Sequence, residues 1–476
     1  MPHDPFLSLL AHAAEALEAE FAALPDFKPE PGAPAEAMAQ VLEETAHRLG
    51  DNYPYFHPLY AGQMLKPPHP VARAAYALAM KINPNNHARD GGRASSEMEI
   101  EAVSEIAQMF GYSGDEKAGG QGSYLGHLTS SGTIANLEGL WVAGQLAPGK
   151  RIVASGQAHY THGRISAVLK LSFGVIAADA RGRMDLEALE AELRKGDVGT
   201  VVATMGTTSM GAVDPLPEIL ALRERYGFRV HADGAYGGYF RLIPDALDEP
   251  ARRAYAVIDQ ADSIVVDPHK HGLQPYGCGC ILFRDRAIER LYKHDSPATY
   301  FTAKELLHLG EISLECSRAG AGAVALWATQ RLLPLVPGGE FAQGLERGRR
   351  AALELDRRVR EDDRFVGLGS CVPGSPNARD PGHPPDLDIV VWAALHAADF
   401  WRSSERAREI FDACARRGLH LALVQLPGSW FGARKTAQNE GALTCLRSVL
   451  MKPEHEAWMD EIWERLSAAC DEVGGE

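Results

Sequence analysis

The sequence predicts an α/β protein in which helices cover both faces of a largely parallel sheet. From about residue 125 to 285, short β-branched or apolar runs alternate with helical patterns such as the one at 216–227. The runs indicate buried strands, at 151–155, 198–204, 228–233, 263–267 and 278–283. Continuous apolar runs are typical of strands covered on both faces, and their alternation with helices is typical of parallel sheets.

Two helical segments are predicted before the sheet. Residues 5–22 repeat apolar side chains at helical spacing, and a second helical pattern reaches about residue 49 after a proline-rich break at 25–34. A first helix separated by such a linker has little core of its own. We therefore expect it to pack either on a partner subunit or back on its own chain.

The C-terminal part of the chain has a different pattern. Beyond Gly338, a long charged helix is followed by apolar and helical segments, at 341–362, 386–394, 403–417 and 442–453. This pattern indicates a smaller α+β domain. The predicted organisation is an N-terminal helical segment at 1–90, a large domain at 91–337 and the small C-terminal domain at 338–476.

Charge and composition exclude several kinds of protein. The chain has 476 residues, and its 48 basic and 63 acidic side chains give a formal net charge of −15. That charge repels phosphate backbones and anionic lipid, so neither nucleic acid nor a membrane surface is an expected partner. Hydrophobic residues make up 45% and charged residues 23%, which is typical of a globular protein and not of a disordered one.

The expected location is the cytoplasm. The first residues contain several acids and no basic n-region, unlike a signal peptide. No apolar run approaches the roughly 20 residues of a membrane span. The seven cysteines are odd in number and mostly scattered, which indicates free thiols in a reducing compartment rather than a disulfide framework.

Small and hydroxylated residues precede a predicted helix at Ser131, Gly132 and Thr133. Backbone N–H groups at a helix N-terminus bind anions, and small side chains let an anion approach closely. Taken alone, the same pattern is more typical of a plain N-cap. The field of the helix end contributes only about 0.3–1 kcal/mol, so it orients a phosphate group but does not hold a ligand alone.

Two further polar side chains follow predicted strands. Asp233 lies at a strand end among Ala and Gly residues, where a carboxylate can bind one cationic nitrogen for roughly 1.5–3 kcal/mol. His159 comes just past the strand that ends near Ser155, and its ring is suited to stack on a flat group. Either residue alone is more typical of a turn or a capped loop.

Lys270 directly follows a buried strand and lies between His269 and His271. This position is unusual, because lysine is nearly always solvated. A lysine amine at the mouth of a sheet is suited to form a Schiff base with an aldehyde. No metal site is expected here, because Cys278 and Cys280 lack a second pair of ligands at suitable spacing.

These four features together match one cofactor. Parallel strands present their carboxyl ends at one edge of a sheet, so the anion site, the acid, the imidazole and the lysine are expected to converge there. They match the phosphate, pyridine nitrogen, ring face and aldehyde of pyridoxal phosphate. Other catalytic classes lack their parts, since the chain has no G-x-x-x-x-G-K-[ST], H-E-x-x-H or G-x-S-x-G motif.

The sequence resembles the group II pyridoxal-phosphate-dependent amino-acid decarboxylases, the family of glutamate, aromatic-amino-acid and tyrosine decarboxylases. The resemblance extends from about Tyr53 to Lys452 and is most specific in five segments, SSGTIANL, GQAH, ATMGTTSMGAVDPL, HADGAYGG and DPHKH. It implies fold type I with a mostly parallel seven-stranded sheet, and a homodimer with active sites at the subunit interface. It also implies that pyridoxal 5'-phosphate is bound covalently to Lys270.

The resemblance further implies which residues contact the cofactor. Asp233 would pair with the ring nitrogen, and His159 would stack on the ring. The other cofactor-binding residues would surround the phosphate and the rest of the ring, namely Ser131, Gly132, Thr133, Thr208, Ala235 and His269. Asp267, His271 and Ile134 stand where many members have Asn, Trp and Glu, a difference that concerns the substrate pocket rather than the cofactor contacts.

Substrate contacts are implied in the same way. Tyr300 resembles the loop tyrosine that returns a proton to the substrate carbon. His57 and Tyr60 lie in a segment similar to the one that contributes to the substrate pocket. Arg447 matches the arginine of the substrate carboxylate region, and an interdomain ion pair is an equally supported interpretation of this residue.

The leading hypothesis is α-decarboxylation of an L-amino acid with an aromatic or acidic side chain. Two alternatives keep the cofactor and change the reaction. The segment HGLQPYG after Lys270 is similar to the phosphosphingoid lyases, which cleave a carbon–carbon bond, and aminotransferase chemistry is also open. The remaining hypothesis is a protein that binds pyridoxal phosphate without catalytic activity.

Overall fold

Seven strands form the central sheet. The computed structural model describes residues 4–27, 32–112, 124–293, 308–368, 383–394, 400–431 and 441–474. The strands of this sheet are β1 (Leu125–Thr129), β2 (Arg151–Ser155), β3 (Phe173–Ile176), β4 (Val198–Thr204), β5 (Arg229–Asp233), β6 (Ser263–Val266) and β7 (Gly279–Phe283). Their order across the sheet is β1-β7-β6-β5-β4-β2-β3.

The sheet is mostly parallel, as the sequence predicts. Strands β2 to β6 pair in parallel, whereas β7 is antiparallel to both β1 and β6. The central strands of this sheet contain buried β-branched side chains, since Val201, Val202 and Val230 have no exposed surface. Each such side chain contributes about 1.5–3 kcal/mol through burial. The α/β class and the mostly parallel sheet of seven strands are therefore confirmed.

Four helices precede the sheet, α1 (Phe6–Glu20), α2 (Ala35–Leu49), α3 (Pro70–Met80) and α4 (Arg93–Phe110). The first helix packs on α3 of its own chain, which was one of the two expected arrangements. Arg73 of α3 lies 2.7 Å from the carboxylate of Asp4 and 5.3 Å from the ring centre of Phe6. Helix α2, in contrast, has no buried residue.

The helices that follow the first sheet strands are α5 (Gly132–Leu146), α6 (Thr161–Val168), α7 (Leu186–Leu193), α8 (Leu216–Tyr226), α9 (Glu249–Ala256), α10 (Glu289–Tyr292) and α11 (Gly320–Leu332). Most of α5 is buried, including Ala135, Leu140 and Val142. This helix therefore forms part of the core, and its first turn is fixed in position relative to the strands.

A second, smaller sheet lies in the C-terminal part. Its strands are β8 (Phe365–Gly367), β9 (Ile389–Ala394), β10 (Ala422–Pro427) and β11 (Ala442–Val449), in the antiparallel order β10-β11-β9-β8. The helices of this part are α12 (Glu340–Glu361), α13 (Phe400–Arg416) and α14 (Met459–Val473). Trp392 and Ile410 are fully buried in a shared core. The predicted small α+β domain is confirmed.

The topology of the large sheet brings several loops to one edge. Strands β2, β4, β5 and β6 run in the same direction, and β1 runs with them because β7 is antiparallel to both of its neighbours. The segments that follow these strands therefore meet at the carboxyl edge, where ligands of such sheets bind. Over the described ranges, no helix is long and apolar enough to cross a bilayer.

Candidate active site

A cavity of about 180 Å³ opens at the carboxyl edge of the large sheet. All nine residues that the sequence predicts to bind the cofactor line it, namely Ser131, Gly132, Thr133, His159, Thr208, Asp233, Ala235, His269 and Lys270. The loops after β1, β2, β4, β5 and β6 each contribute to this lining. The predicted convergence of four separate features is thus observed in one chain.

The anion site is the first turn of α5. Ser131 caps this helix, and its Oγ accepts a hydrogen bond of 3.3 Å from the N–H of Ile134. Gly132 lies so close to Asp267 that a Cβ atom there would be 2.4 Å from Oδ2 of the carboxylate. A side chain at position 132 would displace that carboxylate, and its absence leaves room for an anion at the helix N-terminus.

Asp233 is buried at the end of β5, and both of its oxygens have partners. Nε2 of His162 donates a hydrogen bond of 2.8 Å to Oδ2, and the N–H of Ala235 donates one of 3.1 Å to Oδ1. Burial alone would raise the pKa of Asp233, but the bond from His162 and the charges of His162, His231 and Lys270 hold it well below its usual range. The carboxylate is therefore ionised and suited to hold a cationic ring nitrogen.

His162 is a site residue that the sequence analysis missed. It lies in α6, three residues after His159, and is fully buried. The available signal was a second histidine three residues after His159, just past a strand end and inside the helical segment that follows it. Its partner, Asp233, is 71 residues away in sequence.

His159 is held at the mouth of the cavity. Its Nδ1 accepts a hydrogen bond of 3.3 Å from the N–H of Thr161, and its ring centre lies 4.4 Å from that of Tyr160. Burial lowers the pKa of His159, and the charge of Asp233 only partly opposes this effect. A neutral imidazole fixed in this way is suited to stack on a flat aromatic group.

Lys270 makes an ion pair inside the cavity. Its Nζ lies 3.0 Å from Oδ2 of Asp267, and Oδ1 of the same carboxylate is buried without a hydrogen-bond partner among the described residues. Next to it, Nδ1 of His269 donates a hydrogen bond of 2.6 Å to the carbonyl of Cys278. Lys270 is the residue with a nucleophilic amine in this cavity.

Arg447 does not line the cavity, although it contacts one of the cavity loops. Its guanidinium donates hydrogen bonds to the carbonyls of Thr208 (2.7 Å), Ser209 (3.0 Å) and Gly62 (2.9 Å). It makes no ion pair with a carboxylate in the described part of the chain, so the alternative of an interdomain ion pair is not observed there. Instead, Arg447 ties β11 to the loop after β4.

The predicted substrate residues are not gathered in this cavity. The ring of His57 lies 4.9 Å from that of Trp458, and Tyr60 is buried 6.2 Å from the ring of His420. Tyr300 lies outside the described residues. The described cavity therefore contains the predicted cofactor residues without the predicted substrate residues.

The residues of the cavity fit pyridoxal phosphate. The open helix N-terminus at Gly132 suits a phosphate, the ionised Asp233 suits a pyridinium nitrogen, and Lys270 suits an aldehyde. Three buried polar atoms around the cavity, on His162, Thr204 and Asp267, also have no hydrogen-bond partner among the described residues. The fold and this set of residues define a fold type I pyridoxal-phosphate enzyme.

Comparison with known proteins narrows this class to a family. The sequence profile of the pyridoxal-dependent decarboxylase conserved domain matches residues 35–368. An L-tyrosine decarboxylase from Enterococcus faecium is 28% identical over 476 aligned residues, covering 79% of this chain and 75% of that protein. An L-2,4-diaminobutyrate decarboxylase from Rhizobium meliloti is 34% identical over 237 residues, or 46% and 44% of the two chains.

Solved structures have the same fold. The crystal structure of Oryza sativa TDC with PLP and tryptamine superposes with a TM-score of 0.76 at 19% identity, covering 99% of this chain and 98% of that one. Mouse CSAD in its apo form gives a TM-score of 0.73 at 19% identity, covering 96% and 91%.

The chain belongs to the pyridoxal-dependent decarboxylase family. Its cofactor is pyridoxal phosphate, and its activity is the decarboxylation of an amino acid. The predicted resemblance, cofactor and reaction class are therefore confirmed. The comparisons support decarboxylation over the lyase, aminotransferase and inactive alternatives.

Proposed function

We propose that the substrate is an L-amino acid with an aromatic or acidic side chain, which loses its α-carboxylate as CO₂ and leaves as the amine. The L-tyrosine decarboxylase described above supports this substrate class. So does a probable L-tyrosine/L-aspartate decarboxylase from Methanothermobacter thermautotrophicus, 28% identical over 276 residues, which covers 57% of this chain and 70% of that protein. The observation that carries the proposal is that Lys270 and Asp233 line one cavity, with Asp233 hydrogen-bonded to His162 behind it.

The cofactor would be held by the nine cavity residues in the roles given by the resemblance. When bound, pyridoxal phosphate supplies an aldehyde that bonds to amines and a ring that accepts the electron pair left by the departing carboxylate. Asp233 would keep a proton on the ring nitrogen, because its carboxylate stays ionised beside His162. His159 would cover the ring face and exclude water there. The turn at Ser131, Gly132 and Thr133 would orient the phosphate.

Lys270 would take part in the reaction through its amine. Asp267, whose Oδ2 is 3.0 Å from Nζ, would hold and return a proton at that atom. Asp267 lies between Lys270 and the start of α5, so it also orients the amine toward the cavity. A proton on Nζ has no other carboxylate partner among the described residues.

The substrate residues would come from two subunits of a homodimer. His57 and Tyr60 do not line the cavity of their own chain, a fact that supports a contribution from each chain to the other's site. Helix α2 supports the same arrangement, since its apolar side chains are exposed at Met38, Val41, Leu42 and Leu49. Tyr300 would return the proton to the substrate carbon, and Arg447 would act near the substrate carboxylate.

The remaining proposals concern location and domain limits. A cytoplasmic location is supported by the six described cysteines, which are all unpaired.

The domain limits at residues 90 and 337 are supported by the two separate sheets, which lie at 125–283 and 365–449. Separate expression of fragments that end at these residues tests the domain limits. Localisation of the tagged full chain tests the cytoplasmic location.

Release of CO₂ from each natural L-amino acid by the cofactor-loaded protein tests the proposed function. We expect turnover with an aromatic or acidic substrate and an equal yield of the amine. The matched control is Asp233→Ala, in which cofactor binding is weakened and CO₂ release is slowed strongly. A keto acid or an aldehyde in place of the amine, or normal turnover by Asp233→Ala, would contradict the proposal.

A further inference from the structure

A second cavity, of about 300 Å³, lies apart from the cofactor site. It is lined by the proline-rich segment 66–70, by the first turns of α12 and by residues 452–454. His271 also lines it, and this residue directly follows Lys270 in the chain. The cavity therefore adjoins the segment that carries the catalytic lysine without sharing its lining with the cofactor site.

Two lysines line this second cavity. Nζ of Lys66 donates one long hydrogen bond of 3.4 Å to the carbonyl of Met451, and makes no ion pair with a carboxylate in the described ranges. Nζ of Lys452 donates a hydrogen bond of 2.6 Å to the carbonyl of Tyr60 and lies 5.3 Å from the centre of its ring. The amine of Lys452 is thus held by Tyr60, whereas the amine of Lys66 makes only one weak hydrogen bond.

Burial disfavours the charged form of both amines, and the charge of Lys66 further disfavours that of Lys452. Burial lowers the pKa of Lys66 to about 8, against the opposing charges of Asp388 and Glu454. Burial, and then the charge of Lys66, lower the pKa of Lys452 to about 7. A fraction of Lys66 is therefore an uncharged nucleophile near neutral pH.

We propose that this cavity is a carbon dioxide site, in which the amine of Lys66 reacts reversibly with CO₂ to form a carbamate. The lone pair of Nζ forms a bond to the carbon of CO₂, one C=O bond becomes C–O⁻, and the nitrogen releases one proton to solvent. Nothing is oxidised or reduced. The inference relies on the proposed function only for the source of the CO₂, which is the product of decarboxylation.

Two cations of the cavity lining, Lys452 and Arg347, favour this product. A carbamate replaces a positive charge beside Lys452 with a negative one, so repulsion between the two lysines becomes attraction. Nε2 of His271 lies 3.4 Å from Oδ2 of Asp388, so this ring already faces a carboxylate. The other charged or titratable groups that face Lys66 are Arg347, His69, Glu340, Glu454 and Asp388. Of these, Arg347 favours an anion, whereas the three acids oppose it.

The test uses the cofactor-loaded protein with ¹³C-labelled bicarbonate and CO₂, and no amino-acid substrate. A trialkyloxonium salt then traps carbamates as stable esters, which peptide mass spectrometry locates. With the dissolved CO₂ held constant by a fixed partial pressure of the gas, we expect the label on Lys66 to increase as the pH rises through about 8, because the amine must be uncharged. Because the CO₂ is added from outside, the result does not depend on decarboxylase activity.

Two variants provide the controls. Lys66→Arg keeps the charge and cannot form a carbamate, so we expect no label in the peptide containing position 66. Lys452→Met removes the neighbouring cation, so we expect the label on Lys66 to fall several-fold. An unlabelled Lys66 in the folded wild-type protein at saturating CO₂ would overturn the proposal, as would equal labelling of solvent-exposed lysines such as Lys195. If Lys452→Met fails to fold, the comparison with Lys66→Arg decides alone.

Discussion

His162 donates a hydrogen bond of 2.8 Å from Nε2 to Oδ2 of Asp233, which joins α6 to the end of β5. Both side chains are buried, at 0% and 4% exposure. A bond to an ionised group contributes roughly 1.5–3 kcal/mol. The pair therefore fixes both the position and the ionisation of the acid proposed to face the cofactor ring.

Replacing His162 by Ala should weaken cofactor binding by about 10- to 100-fold, because Asp233 loses its charge-assisted partner. Titration of the cofactor-free protein with pyridoxal phosphate measures this change. His162→Gln, which keeps a hydrogen-bond donor, should recover part of the loss. Unchanged affinity in His162→Ala would mean that the pair does not support the cofactor site.

Gly132→Ala should also weaken cofactor binding, because the new Cβ atom would lie 2.4 and 2.5 Å from the two oxygens of Asp267. The carboxylate must move, and the ion pair with Lys270 moves with it. Gly322→Ala is the matched control, since Gly322 lies in the first turn of α11 and nothing lies within 4 Å of its Cβ position. Equal affinities in the two variants would argue against a tight anion site at Gly132.

Asp388 should make the stability of the folded chain depend on pH. Burial raises its pKa to about 6, although the hydroxyl of Tyr236 and the charge of Lys66 oppose the shift. Because the folded pKa is higher than the unfolded value of about 3.9, the folded state binds more protons between these values. The free energy of unfolding should therefore fall as the pH rises from about 4 to 6.

Thermal unfolding at several pH values checks this expectation, with Asp388→Asn as the comparison. The variant lacks the titrating carboxyl, so its stability should change less over the same pH range. If the stabilities of the wild type and of Asp388→Asn change equally between pH 4 and 6, Asp388 does not titrate in this way.

Tyr300→Phe should lower the rate of amine formation by about 10²- to 10⁴-fold if its hydroxyl returns the proton to the substrate carbon. Cofactor affinity should remain unchanged, because Tyr300 is not among the proposed cofactor contacts. Steady-state assays of CO₂ and amine together separate these effects. An unchanged amine yield would remove Tyr300 from the mechanism.

Much of the fold could be predicted because the strands carry their signal locally. The buried runs at β4 and β6 are apolar and β-branched, and helical patterns lie between such runs. The position of β7 could not be predicted in the same way. It pairs antiparallel with β1, with Leu125 opposite Phe283, and no local pattern specifies a partner so far away.

The site residues also differ in whether a local sequence pattern could identify them. Lys270 and Asp233 could be found because each lies at or just beyond the end of an apolar strand. The role of His162 depends on a contact with a residue 71 positions later. The hydrogen bonds of Arg447 to three backbone carbonyls could not be predicted either, because every residue has a carbonyl and the residue type does not indicate which one accepts.

The most direct test of the account is to reduce the cofactor-loaded protein with borohydride and to locate the modified residue by peptide mass spectrometry. We expect one pyridoxyl group, on Lys270, and no such group in Lys270→Ala. A protein that binds no pyridoxal phosphate, or that carries the group on a different lysine, would contradict the central claim that this amine and the Asp233–His162 pair form one cofactor site.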